Sequence, residues 1–298
     1  MILLVVPSFH PQSAMHNMED TTRQADSKSK YAAQVVDILK SAPIWQWPSI
    51  FIYMFEVLIY RLFKKRIRKE ISLNLYGLNF VIKTHNMDLG VIYEIFSEGI
   101  YLKDPNYIPQ DGWTCVDVGA NIGCVSLTWA QRDPHGKIYA MEPHPATFER
   151  LERNVNANRF SNVTCFNIAA DRQSGTLEFL ISDQTSMGVS ANEQSATAAS
   201  HKMSARICQV PALSLDDFYD KQKIPTVDLL KIDIEGHEVA CLEGATRALR
   251  RTRRVVLEYH SAALRISCRE IFAQAGFSLN EAGDLIFAEN PQWPPALE

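Results

Sequence analysis

Trp113-Thr114-Cys115-Val116-Asp117-Val118-Gly119-Ala120-Asn121-Ile122-Gly123 is the stretch from which the fold is read. Cys115 to Val118 is a short β-rich run that carries Asp117 and breaks at Gly119. Gly123 follows, and the apolar residues from Cys124 to Ala130 continue with helical spacing. A buried strand, a tight glycine turn and a helix start are how open α/β sheets build a nucleotide-sized crevice. Glycines let the backbone approach a ligand, and a helix N-terminus offers free N–H groups to its polar end.

Downstream the pattern alternates strand and helix. Lys137 to Met141 is strand-like and ends at Glu142; Pro145 opens a helix that keeps its spacing through Phe148, Leu151 and Val155. Strands are expected at 163–168, 176–181 and 206–210, with a mobile surface loop at 182–205, rich in Ser, Ala, Thr and Gln. Val227 to Ile232 is a buried strand that delivers Asp233, Glu235, Gly236, His237 and Glu238. Val255 to Leu257 ends at Glu258 and His260, and a helix at 264–275 precedes a terminal hairpin turned at Ala282-Gly283. Such alternation implies an α/β fold, a mainly parallel sheet with helices on both faces and ligands at the strand ends.

Two acidic positions mark the crevice. Asp117 lies within the first strand, and Glu142 sits at the tip of the second, about 20 residues past the glycine turn, where a carboxylate accepts hydrogen bonds from both ribose hydroxyls of an adenosine-containing ligand. The turn is not a dinucleotide GxGxxG, because Asn121 stands where the middle glycine would be. It closely resembles motif I of class I S-adenosylmethionine-dependent methyltransferases. Val116 to Gly123, Met141-Glu-Pro-His-Pro145, Leu213 to Phe218, Leu230-Lys-Ile-Asp-Ile-Glu-Gly-His-Glu238 and Val256-Leu-Glu-Tyr-His260 together resemble the successive signatures of the FkbM family of methyltransferases. The resemblance runs from about residue 90 to the end of the terminal hairpin, and residues 1–70 lie outside it.

The resemblance implies a Rossmann-like seven-stranded methyltransferase sheet, mostly parallel with an antiparallel C-terminal hairpin. It implies S-adenosylmethionine as cofactor. Asp117 would organise the turn, with Gly119, Ala120, Asn121 and Gly123 against the methionine part, Glu142 on the ribose, and the adenine near Ala169, Ala170 and Asp171. A sulfonium methyl is already activated, so the chemistry needs in-line positioning and removal of a proton from the acceptor. Asp233 and Glu235 project beside the expected methyl position. His237, His260 and Glu258 are the further candidates, since imidazole is the usual proton acceptor near neutral pH. For His237 the alternative is helix capping, and for Glu258 a structural ion pair. Asp233, Glu235 and Glu258 carry oxygen ligands that suit a divalent metal, but nothing in the spacing demands one. The expected reaction is O-methylation of a hydroxyl on a small molecule, sugar or lipid-linked glycan. A catalytically silent cofactor-binding scaffold and a nicotinamide-dependent oxidoreductase are the alternatives, and Asn121 with the Asp233-Ile-Glu-Gly block argues against the latter.

Composition sets the remaining bounds. In 298 residues, 46% apolar and 21% charged, the net charge of −4 gives no global drive toward nucleic acid. The six cysteines lie scattered in apolar runs with no CxxC pair, the pattern of reduced core residues in a cytoplasmic protein. Three segments are expected: a disordered leader at 1–43, an extension with an apolar and basic helix, a hairpin and a helix at 44–110, and the methyltransferase domain at 111–290. Residues 44–63 are strongly apolar but interrupted by Gln46, Pro48, Glu56 and Arg61, and Lys64, Lys65, Arg66, Arg68 and Lys69 follow. Three readings of 44–69 stay open: a helix packed on its neighbours, a peripheral membrane contact, and a span.

Overall fold

The computed structural model describes residues 36–63, 70–83, 88–182, 188–190 and 205–294. The chain divides into two compact units, Met1–Ile100 and Tyr101–Glu298.

In the first unit, helix α1 (Trp47–Phe63) buries Ile50, Tyr53 and Glu56 on one side and packs against strand β1 (Glu70–Leu75). β1 pairs antiparallel with β2 (Leu78–Lys83). The hairpin expected in this extension turns at Tyr76-Gly77, where both residues take positive φ, 53° and 78°, as a two-residue turn between twisted strands requires. Alternation buries Ile71, Leu73, Leu75, Leu78, Phe80 and Ile82. Helix α2 (Asp88–Tyr93) continues as a wider turn, Glu94–Glu98, which Gly99 closes in the left-handed conformation. Residues 36–41, expected as part of a disordered leader, are helical, and Ile38 and Ala42 are buried. The rest of the expected leader, residues 1–35, and the basic run 64–69 lie outside the described residues. Among the described residues no helix is long and apolar enough to cross a membrane.

The second unit is built on a seven-stranded sheet. Its strands are β3 (Thr114–Val118), β4 (Lys137–Met141), β5 (Val163–Phe166), β10 (Val227–Ile232), β11 (Thr252–Glu258), β12 (Ser278–Ala282) and β13 (Leu285–Glu289). They lie in the order β12-β13-β11-β10-β3-β4-β5. β11, β10, β3, β4 and β5 run parallel, and the terminal hairpin is antiparallel. The chain leaves β3 toward β4 on one side and returns to place β10 on the other. β3 is therefore the switch point, where a crevice opens at the carboxyl ends of parallel strands. Helix α3 (Cys124–Arg132) follows β3, and α4 (Pro145–Ala157) follows β4 with Pro145 at its first position.

A second sheet covers part of this unit. It orders β6 (Ala169–Ala170), β9 (Ala205–Leu213), β7 (Gly175–Ser182) and β8 (Gly188–Ser190) as β6-β9-β7-β8. Two expectations are corrected here. The strand expected to run to Ile168 stops at Phe166, because the Asn167 side-chain amide donates to the carbonyls of Glu142 and Pro143 and turns the chain into β6. Within the expected surface loop 182–205, residues 188–190 form a strand on β7; 183–187 and 191–204 lie outside the described residues. All six cysteines are free; Cys115, Cys124, Cys241 and Cys268 are buried, whereas Cys165 and Cys208 are half-buried.

Gly119 lets β3 and β10 meet. Its φ is 79°, and a Cβ there would stand 1.8 Å from the carbonyl oxygen of Asp233. The close approach that the turn was expected to give a ligand is thus first an approach to the next strand.

Candidate active site

The crevice begins at the end of β3. Asp117 is fully buried, and its Oδ2 accepts a 2.5 Å hydrogen bond from Ser126 on α3. Gly119 and Ala120 both donate their N–H to the Met141 carbonyl, which holds the turn on β4. Asn121 has φ 52°, a left-handed conformation that asparagine tolerates. Gly123, at φ 93°, caps α3, and Asn154 donates to the Ile122 carbonyl from behind.

Glu142 stands beside this turn. Its Oε2 accepts the Asn121 N–H at 2.9 Å and its Oε1 accepts the His144 N–H at 2.8 Å. Burial pushes the carboxyl up to about 7, against the pull of these two N–H donors, Lys231 and Arg150. Each carboxylate oxygen retains a second lone pair for a further donor. An apolar pocket adjoins, lined by Gly119, Met141, Pro143, Ile168, Ala169, Ala170, Phe179 and His237. His237 holds the N-cap position of helix α5 (Glu238–Glu243), yet its side chain makes no capping bond; its Nε2 stands 2.9 Å from Asp171 Oδ1. The structure thus groups His237 with Asp171 beside Ala170, away from the carboxylates at the end of β10.

Those carboxylates form the other wall. Asp233 follows β10, and Glu235 turns back at φ 54°. His260, two residues past β11, directs Nε2 at both, 3.7 Å from Asp233 Oδ1 and 3.6 Å from Glu235 Oε2. Its Nδ1 is 2.7 Å from Oε1 of Glu238, which is fully buried. Burial alone would lower the imidazole; the hydrogen bond to Glu238 and the charges of Glu235, Glu238 and Asp233 raise it to about 10. Glu258 accepts a short hydrogen bond from Tyr101, whose hydroxyl also bonds Asp233 Oδ2 at 2.9 Å. Burial and these two carboxylates push the Tyr101 phenol well above its ordinary value.

One residue joins the two walls. Lys231, on β10, places Nζ 3.3 Å from Asp117 Oδ1, 3.4 Å from Asp233 Oδ2 and 2.8 Å from the Gly119 carbonyl. Burial would lower its pKa, but Asp117 and Asp233 hold the ammonium above its ordinary value. Burial likewise opposes ionisation of Asp233, yet Lys231 and His260, with the Tyr101 bond, hold its carboxyl below its ordinary value.

Sequence reasoning passed over Lys231, Tyr101 and the role of Glu238. A lysine inside the apolar run Leu229 to Ile232 was a signal for the first, since a buried charge requires partners. Glu238 stands in the same motif block as Asp233 and Glu235. Tyr101 carried no signal, because its partners lie more than 130 residues away along the chain.

A parallel sheet with a glycine turn at its switch point, a buried acid on the next strand and a carboxylate rim on the other defines the class, an α/β protein of the S-adenosylmethionine-dependent methyltransferase type. Residues 117–282 match the methyltransferase FkbM domain, over half of the chain, and the chain belongs to that family. S-adenosylmethionine is the family's cofactor. The crevice fits it. Asn121 Oδ1 is buried with no hydrogen-bond partner among the described residues, an acceptor suited to an ammonium donor, and Glu142 and the apolar pocket suit a ribose and a flat ring.

Over 154 residues the chain is 32% identical to a hexuronic acid methyltransferase of Haloferax volcanii, matching 49% of this chain and 55% of that protein. It is 27% identical over 215 residues to a methyltransferase of Beauveria bassiana, 68% of this chain and 83% of that one. It is 24% identical over 157 residues to a 2-O-methyltransferase of Sinorhizobium fredii, 50% of this chain and 64% of that one.

Lys231→Met leaves Asp117 buried without its cation. Removing one partner of a buried ion pair costs about 3–5 kcal/mol. Urea unfolding is expected to register a loss of that size, part of which Asp117→Asn restores when added to Lys231→Met.

Proposed function

We propose that this chain is an S-adenosylmethionine-dependent O-methyltransferase whose acceptor is a sugar hydroxyl, of the hexuronic-acid or related glycan class. The observation that carries this reading is the rim of Asp233, Glu235 and His260 beside the glycine turn, tied to it through Lys231. The hexuronic acid and 2-O-methyltransferase relatives support the sugar hydroxyl. Asp117, Gly119, Ala120, Asn121 and Gly123 form the cofactor side, with Glu142 for the ribose and Ala170, Asp171 and His237 around the ring pocket. When bound, the cofactor supplies an activated methyl on a sulfonium whose sulfur leaves as a neutral thioether.

The chain's own work is to hold the acceptor hydroxyl in line and take its proton. Glu235 receives that proton, with Asp233 as the fixed negative charge beside it. Glu238 fixes His260 through Nδ1, so its Nε2 faces the acceptor with a set orientation. Tyr101 and Lys231 fix Asp233 through Oδ2 and leave Oδ1 toward His260. Glu258 acts through Tyr101. Positioning of this kind accounts for a large part of the rate when the leaving group is already activated.

Helix α1 leaves Trp47, Phe51 and Phe55 exposed at four-residue spacing, with Leu62 and Phe63 exposed at its end. The opposite face is the buried one, Ile50, Tyr53 and Glu56. An aromatic stripe followed in sequence by Lys64, Lys65, Arg66, Arg68 and Lys69 suits a helix lying on an anionic membrane surface. That placement brings the enzyme to a lipid-linked acceptor.

Two experiments test these readings. In calorimetric titration with S-adenosylmethionine, the ribose hydroxyls bind the charged Glu142. Affinity therefore rises with pH through about 7, where Glu142 titrates. It is up to about 30-fold weaker at pH 5.5 than at pH 8, one decade per pH unit below the pKa. Glu142→Gln gives weaker binding without this step; the ligand's own amino group titrates equally against both proteins and cancels. No heat of binding at any pH would falsify the function. In flotation, the full chain is expected to rise with vesicles containing anionic phospholipid and not with neutral ones, and the variant carrying Phe51→Ser and Phe55→Ser stays at the bottom. Equal behaviour of the two proteins removes the membrane contact.

A further inference from the structure

The three groups on the acceptor rim are arranged around a gap. Asp233, Glu235 and His260 each place one ligand atom within 4.8 Å of the other two. Nε2 of His260 is 3.7 Å from Oδ1 of Asp233 and 3.6 Å from Oε2 of Glu235, too long for a hydrogen bond to either. Nδ1 closes on Glu238 at 2.7 Å as a charge partner does, whereas Nε2 closes on neither rim carboxylate. Ligands about 2.1 Å from a shared ion stand roughly 3–3.5 Å apart, close to the two distances to Nε2.

Each group is also oriented from behind. Asp233 has its Oδ2 occupied by Tyr101 and Lys231, and its Oδ1 turned to the gap. His260 has its Nδ1 on the fully buried Glu238, which leaves Nε2 as the outward nitrogen. A carboxylate behind the far nitrogen of a histidine is the usual support of a metal-bound imidazole, since it fixes the tautomer and strengthens the ligand. Glu235 is delivered by its left-handed backbone, followed by Gly236 at φ 107°, a turn that brings two side chains of the Asp-Ile-Glu run to one point.

We propose that Asp233, Glu235 and His260 bind one divalent cation of the manganese or magnesium class, and that this ion holds the acceptor hydroxyl. The oxygen ligand placed third by sequence alone, Glu258, gives way to His260, which has a ligand atom within reach of both Asp233 and Glu235. Two carboxylates and one imidazole suit such an ion, and three protein ligands leave positions open for an acceptor oxygen and water. Binding displaces the proton from Nε2 of His260. The bound cation lowers the pKa of a coordinated hydroxyl. The oxygen then forms its bond to the methyl carbon as the sulfur–methyl bond breaks, the electron pair stays on sulfur, and the hydroxyl proton leaves to a rim carboxylate or to water. The proposal rests on the reading of this rim as the acceptor side.

Electron paramagnetic resonance of the full chain titrated with Mn2+ tests it. One Mn2+ per chain is expected, with the nitrogen modulation of a directly bound imidazole in the pulsed spectrum. That modulation disappears in His260→Gln, and Glu235→Gln weakens the binding at least tenfold. No bound Mn2+ at millimolar concentration, bound Mn2+ without nitrogen modulation, or modulation that persists in His260→Gln overturns the proposal. The wild-type spectrum alone decides if a variant does not fold. Calorimetry of the same protein with S-adenosylmethionine separates the two readings: cofactor binding without Mn2+ binding removes the cation and leaves the methyltransferase, and the reverse removes the methyltransferase and leaves the cation site.

Discussion

A single buried ammonium, Lys231, is the group on which the crevice depends. It contacts Asp117 at the end of β3, Asp233 beyond β10 and the Gly119 carbonyl in the turn between β3 and α3. An ion in a protein interior carries a desolvation cost of several kcal/mol and persists only with close partners. Two carboxylates and a carbonyl supply them. The arrangement also fixes geometry, since the Asp233 N–H bonds the Val118 carbonyl and a missing Cβ at Gly119 lets Asp233 approach. Cofactor side and acceptor side are therefore held in one register by side chain and backbone together.

The same architecture assigns opposite states to two acids that each directly follow a strand, Glu142 after β4 and Asp233 after β10. Glu142 is desolvated and its N–H donors only partly offset this, so its carboxyl titrates near 7. Asp233 is also desolvated, but Lys231, His260 and Tyr101 more than offset that and hold it charged. Charge at Glu142 is completed by whatever donates to it, while charge at Asp233 is set by the fold. This division suits one wall to a ligand with hydroxyl donors and the other to a permanent negative field in which a proton is released.

Much of the sheet was legible in sequence because its signals are local. β-rich runs broken by glycine, Pro145 at a helix start and the period of α4 each encode an element within a dozen residues, and β3, β4 and β10 with their helices fall where that pattern puts them. The positions of Glu142, Asp233 and Glu235 follow from the same runs. What sequence did not reveal is pairing across the fold. The departure of Ala169-Ala170 into a second sheet depends on Asn167 capping the Glu142 and Pro143 carbonyls, and the strand at 188–190 depends on β7. Tyr101 bridging Asp233 and Glu258 joins segments with no common pattern. His237 and His260 stood equal as bases by residue type, and only tertiary placement sends one to Asp171 and the other to the carboxylate rim.

A crystal structure of the chain with S-adenosylmethionine tests this crevice most directly. The ribose is expected on Glu142, the methionine ammonium at Asn121, and the methyl facing Asp233 and His260 across from Lys231. A cofactor bound with its methyl turned away from that rim, or with its ribose held elsewhere, would contradict this placement.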